Sequence, residues 1–309
     1  MTPRWSWRAL GAAAGLVADR LVGEPPVPDR WHPVAVFGSG VAALERRIYD
    51  DRRGPGVVLA AAGVGAAAAA GVALRSPAAA AYLATSGRGL HDAATAVGDA
   101  LVAGDLDGAR ARLPALVGRD PSGLDAVAIA RAVVESVAEN TTDAVVAPAL
   151  WTLAAGPAGA FVHRAGDTLD SMVGYRDATY GRFGTPAARL DDALAWVPAR
   201  ATAALVALAR PPRAADVLRT VRADAGRHPS PNAGVAEAAF AGALGLRLGG
   251  GENRYGDVVE RRPPLGDGRD PGPADVDAAV ALSRDVTWLL AGVLAAAGAA
   301  GWAFAGRRR

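Results

Sequence analysis

Val57-Val-Leu-Ala-Ala-Ala-Gly-Val-Gly-Ala-Ala-Ala-Ala-Ala-Gly-Val-Ala-Leu74 contains no polar side chain. Wound as a helix at ~1.5 Å rise per residue, it extends about 27 Å, close to the hydrocarbon core of a bilayer. A second run, Val286–Ala305, is interrupted only by Thr287 and reaches about 30 Å on the same arithmetic. Trp288 and Trp302 lie near its two ends, and Arg307-Arg308-Arg309 follow, as a membrane anchor requires. Two further runs are weaker. Ala144–Val162 contains Pro148 and Gly156-Pro157, and Ala193–Ala209 contains Pro198 and Arg200. A central Arg costs ~2.5–3.5 kcal/mol on insertion scales, so Arg200 is expected against other helices or a wet cavity. The expected fold is all-α: a polytopic integral membrane protein with about four transmembrane helices and a helical cytoplasmic part, residues 1–309 forming one membrane domain. Because Ala is only weakly apolar, a soluble helical enzyme with Ala-rich core helices is the alternative.

Composition narrows the chemistry. Of 309 residues, 51% are hydrophobic, and the formal charge is +2. The basic residues are dispersed without an interleaved aromatic patch, so no nucleic-acid partner is expected. There is no Cys, which excludes disulfides, thiolate nucleophiles and Cys-ligated metals. There is no Lys either, which excludes a Walker-type phosphate loop and Schiff-base chemistry. The N-terminal stretch Arg4–Val22 resembles a signal, but Asp19 and Arg20 interrupt it and no small-residue cleavage site follows.

Along the chain, Gly23 and the prolines at 25, 26 and 28 stop a first helix, and His32-Pro33 opens a second over Val34–Tyr49. His32 is a cap or turn residue, or a catalytic one; both remain open. Arg46, Arg47, Arg52 and Arg53 precede the first long apolar run and place that flank in the cytoplasm by the positive-inside tendency. Residues 86–135 have the amphipathic character of a helical soluble insertion, with a helix pair turning at Gly104-Asp105. From Asp125, a helix carries Arg131, Glu135, Glu139 and Asp143 at four-residue steps, one stripe of a helix face. Three carboxylates in a row call for a cation or for Arg side chains from elsewhere, so the stripe is a candidate face for Mg²⁺ or phosphate. Alternatively, the helix stops near Asn140 and Asp143 caps the next one.

Between the two weaker apolar runs lies Asp167-Thr-Leu-Asp-Ser-Met-Val-Gly-Tyr-Arg176. With Asp177, Asp191, Asp192, Arg164, Arg182 and Arg189 nearby, it mixes both signs of charge with aromatics. That suits a site for something bulky and anionic; a solvated inter-helix loop is the alternative. Thr185-Pro186 starts a helix through Ala209, on which Asp192, Trp196 and Arg200 share a face. His228-Pro-Ser-Pro-Asn-Ala-Gly234 is rigid, with Asn232 placed to cap a small-residue helix over Val235–Leu248 and to leave N–H groups free for a phosphate. Gly249-Gly250-Gly251 ends that helix, and a Pro/Gly-rich loop runs through about 249–274.

Several of these stretches together resemble the CobD/CbiB family of cobalamin-biosynthesis proteins, adenosylcobinamide-phosphate synthases. They are Asp19…Gly23-Glu24-Pro25 with His32-Pro33; Val117-Gly118-Arg119-Asp120; Glu135-Ser-Val-Ala-Glu-Asn-Thr141; Thr168–Arg176; Ala188-Arg-Leu-Asp-Asp192 with Trp196 and Pro198-Ala199-Arg200; and His228–Gly234 with Glu237-Ala238-Ala239 and Ala241–Gly245. They occur in family order over nearly the whole chain. Departures are Asp167 where the family usually has Asn, Ala144 for Gly, Ala195 for Asn and Ala236 for Pro. An AmpE-like membrane regulatory or sensory protein and a membrane permease are the rivals, and the complete Thr168–Arg176 and His228–Gly234 motifs favour the synthase.

The resemblance implies a multi-pass enzyme of the inner (cytoplasmic) membrane. It would use ATP to join aminopropanol, or its phosphate, to a propionate carboxylate of adenosylcobyric acid. A complex with other late corrin-pathway membrane enzymes is compatible with that role. Activating a carboxylate, most simply as an acyl phosphate, requires Mg²⁺ and positive charge. For that chemistry Glu135, Glu139, Asp143, Asp170, Asp191 and Asp192 are the expected metal ligands, and Glu139, Asp170 and His228 the expected catalytic groups. Asn140, Ser171, Tyr175, Arg176, Arg189, Arg200, Ser230 and Asn232 are expected to bind substrate. His228 or His32 would take the amine proton. Glu135, Glu139 and Asp170 are expected to converge with Asp191 or Asp192, with the His228–Asn232 loop against them.

Overall fold

The computed structural model describes residues 4–25, 27–175, 177, 179–255 and 258–306. The chain is mainly helical and divides into two compact units. The first comprises residues 1–86, 143–195 and 290–309, and the second residues 87–142 and 196–289.

The first unit begins with α1 (Arg4–Val22), α2 (Pro33–Ile48), α3 (Arg53–Leu74) and α4 (Pro77–Ala84). Ser76 accepts from the Ala79 N–H at 3.2 Å, and Pro77 takes the first helical position of α4, so a side-chain cap and a preset φ restart the helix after α3. Helices α8 (Ala147–Ala155) and α9 (Pro157–Val173) are joined only by Gly156. Gly156 has φ +71° and ψ −154°, a conformation essentially closed to residues with a Cβ. This corrects the expectation of a span over Ala144–Val162: the run is two helices, divided where Gly and Pro meet.

Among the described residues, three helices are long and apolar enough to cross a membrane: α3, α10 (Thr185–Ala209) and α13 (Pro273–Gly306). On α3 only 28% of the apolar window is buried by protein, and on α13 only 22%. Val57, Val58 and Val72 on α3, and Val293, Trp302 and Phe304 on α13, are among the exposed side chains. An apolar helix this uncovered is solvated by lipid, as expected for a membrane protein. The helix expected near Asp275 and the final span are one element, α13. Its expected basic terminus, Arg307–Arg309, lies outside the described residues.

Packing in the first unit relies on small residues. α3 lies along α9, where a Cβ on Gly71 would stand 2.6 Å from Ala158 Cα and from Pro157 O. Backbones approach this closely only when one side lacks a side chain, the usual solution between helices in lipid. Around Leu169 and Val173 of α9, the side chains of Val41, Leu59 and Phe183 close an apolar cluster.

The second unit contains α5 (Gly87–Val102), α6 (Leu106–Arg112), α7 (Ala126–Thr141), α11 (Ala214–Asp224) and α12 (Ala233–Leu244), with parts of α10 and α13. Asp105 and Asp125 cap α6 and α7, each accepting a backbone N–H at 2.8 Å. α12 packs against α7 and α11 and is buried from Gly234 to Ala243. It ends at Leu244 rather than Leu248, with Gly245 in the left-handed conformation at φ +68°. The expected loop after it contains a hairpin, β1 (Glu252–Tyr255) and β2 (Val258–Arg261), in antiparallel register. Leu248 pairs with Leu265 and Leu246 with Arg269, so this segment is held down at its base.

Gly71→Val should lower stability in detergent by ~1–3 kcal/mol, the usual penalty for overpacking. Gly65→Val, on the same helix with no atom within 4 Å of a Cβ, should stay within ~0.5 kcal/mol of wild type. Thermal unfolding of the two purified variants decides; equal midpoints would remove the close α3–α9 contact from the account.

Candidate functional site

α7 offers Glu135 and Glu139 one turn apart, and their environments differ. Glu135 is buried. Its Oε2 accepts from Arg119 Nη2 at 2.6 Å, and its Oε1 accepts from the Gly249 N–H at 2.8 Å. The carboxylate thus ties the segment before α7 and the glycine turn after α12 to one helix. Ser136 donates to Leu116 O at 2.8 Å, and Asn140 Nδ2 donates to Ser136 O at 2.9 Å. Asn140, expected at the substrate, is bonded along its own helix. Beside Glu135 lies a cavity of about 120 Å³ whose lining includes Arg119, Arg131, Gly249 and Arg262.

Glu139 meets Glu237 of α12 and His228 of the loop before it. One ligating atom from each of the three lies within 4.8 Å of the other two. Arg262, just past β2, places Nη1 3.3 Å from Glu139 Oε1 and 3.3 Å from Glu237 Oε1. His228 Nε2 is 3.5 Å from Glu237 Oε1. The Glu237 side chain has 0% exposure and that of His228 2%, whereas Glu139 keeps 30%. Burial pushes the Glu237 carboxyl well above the usual carboxylate range, and the charge of Glu139 and its hydrogen bond push it further. Burial also works to raise Glu139, but the Glu237 hydrogen bond and the charges of Arg262, His228 and Arg119 outweigh it and hold Glu139 low. Burial, and then Arg262, hold His228 below the usual imidazole range.

The 228–234 loop is built differently from expectation. Asn232 precedes α12, but its side chain makes no capping bond. Ser230 Oγ instead accepts from the N–H groups of Asn232 and Ala233, both at 3.2 Å. Asn232 Oδ1 accepts from Arg200 Nη1 at 2.9 Å, and the Arg200 guanidinium lies 4.4 Å from the Trp196 ring centroid. Those amides are thus occupied, and Asn232 orients Arg200.

The remaining expected carboxylates belong to the first unit. Asp167 accepts from Arg164 Nη1 at 2.9 Å. Asp170 lies in the last turn of α9, and Asp191 and Asp192 lie near the start of α10. Asp167, Asp170 and Asp192 all act electrostatically on Asp191. Asp191 Oδ1 is buried with no hydrogen-bond partner among the described residues. Ser171, Tyr175 and Arg189 are exposed, and Arg176 lies outside the described residues. α7 ends at Thr141, near Asn140 as one reading has it, and a π-helical turn over Thr142–Val146 joins it to α8. Asp143 lies within that turn, its carbonyl 3.0 Å from His163 Nε2, and does not cap α8.

Glu237 and Arg262 were not among the expected site residues. The signal for Glu237 is its position as the lone charged residue of α12, which is otherwise small and apolar. Such a charge is costly to bury without a partner. Arg262 carries no comparable signal, because nothing local distinguishes it from the neighbouring Arg261.

The CobD/Cbib protein family matches residues 12–283. The cobalamin biosynthesis protein CobD of Mycobacterium tuberculosis is 46% identical over 297 residues, covering 91% of this chain and 93% of its own. The protein of the same name from Chromobacterium violaceum is 42% identical over 306 residues, covering 94% and 96%. That from Rhodobacter capsulatus is 43% identical over 268 residues, covering 82% and 85%. No solved structure matches.

Arg119→Ala leaves Glu135 buried without its charge partner and should cost ~3–5 kcal/mol of stability. Arg119→Ala combined with Glu135→Gln should recover part of that loss, as denaturation in detergent would show. A double variant no better than the single one would mean that Arg119 acts through packing alone.

Proposed function

The chain belongs to the CobD/CbiB family and has a role in cobalamin biosynthesis, and we propose that within that pathway it is the amide-forming ligase adenosylcobinamide-phosphate synthase. In this reading a propionate carboxylate of adenosylcobyric acid attacks the γ-phosphorus of ATP, forming an acyl phosphate and ADP. The amine of aminopropanol, or of its phosphate, then attacks the acyl carbon, phosphate leaves, and the amine proton is lost to a base. The reaction takes place in the cytoplasmic membrane. Family membership across most of the chain is the observation that carries this proposal.

The residues of the first unit fit a magnesium–nucleotide complex. Mg²⁺ takes oxygen ligands, and Asp170, Asp191 and Asp192 offer only oxygens, with Asp191 Oδ1 buried and unpartnered among the described residues. When bound, Mg²⁺ would neutralise phosphate charge. Arg189, exposed near the start of α10, can meet an anionic substrate from solvent. His32, in the same unit as the aspartates, is the base open to the amine. In the second unit, Arg200, held by Asn232 and stacked on Trp196, presents a fixed guanidinium. Glu135 has both oxygens engaged, so its role is to anchor the glycine turn.

Purified protein supplied with ATP, Mg²⁺, adenosylcobyric acid and aminopropanol phosphate should form adenosylcobinamide phosphate with one ADP per amide. Asp191→Asn should lower kcat by ~10²-fold or more with the fold intact, the scale of losing a group that stabilises the transition state. No amide product from the complete mixture, with either the free or the phosphorylated amine, would sink the ligase reading. An Asp191→Asn enzyme as fast as wild type would sink the aspartate assignment.

A further inference from the structure

We propose that Glu139, His228 and Glu237 form a second metal site, one that takes a divalent transition-metal ion of the zinc or manganese kind. The first argument is placement. Three side chains from two helices and a Pro-framed loop bring one potential ligand atom each within 4.8 Å of one another. Glu139 is distant in sequence from the other two, so the fold assembles the group.

The second argument is the state of the atoms that face it. Glu237 Oε2 and His228 Nε2 are both buried. By geometry, neither atom has a hydrogen-bond partner among the described residues. Their side chains are 0% and 2% exposed. Leaving one such group unsatisfied is destabilising, and here two of them converge. A bound cation satisfies both at once.

The surroundings suit ligation. His228 Nδ1 lies 3.2 Å from Ser230 O. As the loop stands, Nδ1 accepts from the Ser230 N–H at 3.0 Å; ligation through Nε2 moves the ring proton to Nδ1, which then donates to the Ser230 carbonyl, the usual support for a ligating imidazole. Pro229 and Pro231 flank Ser230 and limit the loop's freedom. Glu139 keeps 30% of its side chain exposed, which gives an ion a way in.

Donor type selects the metal. One imidazole with two carboxylates is a mixed nitrogen–oxygen set, which suits zinc, manganese or iron, whereas magnesium prefers oxygen alone and retains its waters. The aspartates of the first unit have that all-oxygen character. Three protein ligands leave at least one coordination position open, the arrangement of a metal that binds substrate or water rather than a purely structural one. Arg262, 3.3 Å from both carboxylates, offsets part of their charge and leaves a metal-loaded cluster attractive to an anion such as a phosphate or carboxylate oxygen. Ligation commits the Nε2 lone pair of His228, so the amine proton of the proposed reaction goes elsewhere.

The test uses the full-length protein in detergent, stripped with a chelator and titrated with Zn²⁺ and Mn²⁺ by calorimetry. Bound metal is then counted by mass spectrometry after desalting. One ion per chain is expected, retained in the presence of millimolar Mg²⁺. Glu237→Gln keeps the shape of the side chain and removes its ability to ionise. It should unfold at the wild-type temperature in the metal-free state, yet bind Zn²⁺ at least about 100-fold more weakly, a loss beyond that of removing an outer partner. His228→Gln should weaken binding to the same degree, and His32→Gln should not. Wild-type protein that retains no ion, or Glu237→Gln and His228→Gln variants that bind as wild type does, would overturn the site. Because binding is read without turnover, a chain that holds the metal but makes no amide counts against the ligase proposal and leaves the site standing.

Discussion

A carboxylic acid with no exposed surface, on a helix of small apolar residues, dictates the arrangement of the second unit. Glu237 is tolerable only because Arg262 reaches it, and Arg262 reaches it only because the segment after α12 folds back. That segment is fixed by Glu135, which accepts from the Gly249 N–H while Arg119 satisfies its other oxygen. The chain of dependence runs from a buried pair, through a glycine turn, to the cation that serves two further carboxylates. Breaking such a pair leaves a charge without water or partner, which is why removing one member costs far more than an exposed ion pair ever contributes.

Much of the fold is legible in residue order. Unbroken apolar runs announce α3 and the membrane half of α13, and Thr185-Pro186 and Asp125 mark helix starts where α10 and α7 begin. Counting apolar residues fails at Ala144–Val162, because Gly156-Pro157 costs little on a hydropathy scale while its backbone geometry ends one helix and begins another. The π-helical turn at Thr142–Val146, which separates α7 from α8, leaves no compositional trace. The hairpin at Glu252–Arg261 is illegible because charged residues at Glu252, Glu260, Arg261 and Arg262 mask any alternation of apolar and polar positions.

The candidate site is legible in kind and less so in membership. Glu139 and His228 stand out by residue type and motif, and the structure brings them together. Glu237 has a single mark, as the lone charge of α12, and an acid in an Ala-rich helix reads as one more surface charge until its burial is known. Asn232 reads as a cap on residue type; Ser230 supplies the cap and Asn232 holds Arg200, an exchange between two residues equally able to do either. The carboxylates then sort by chemistry: an all-oxygen group near the α9–α10 turn, suited to magnesium and nucleotide, and a mixed nitrogen–oxygen group around Glu237. In a chain without Lys or Cys, these two sets and the guanidinium groups are the polar machinery at hand for the ligation proposed for this family member.

The central claim is that a substrate carboxylate is activated by phosphoryl transfer, and isotope transfer tests it most directly. Adenosylcobyric acid labelled with ¹⁸O in the reacting propionate should deliver one labelled oxygen to inorganic phosphate for each amide formed. Amide formed with unlabelled phosphate, or with the label carried into AMP, would contradict the account.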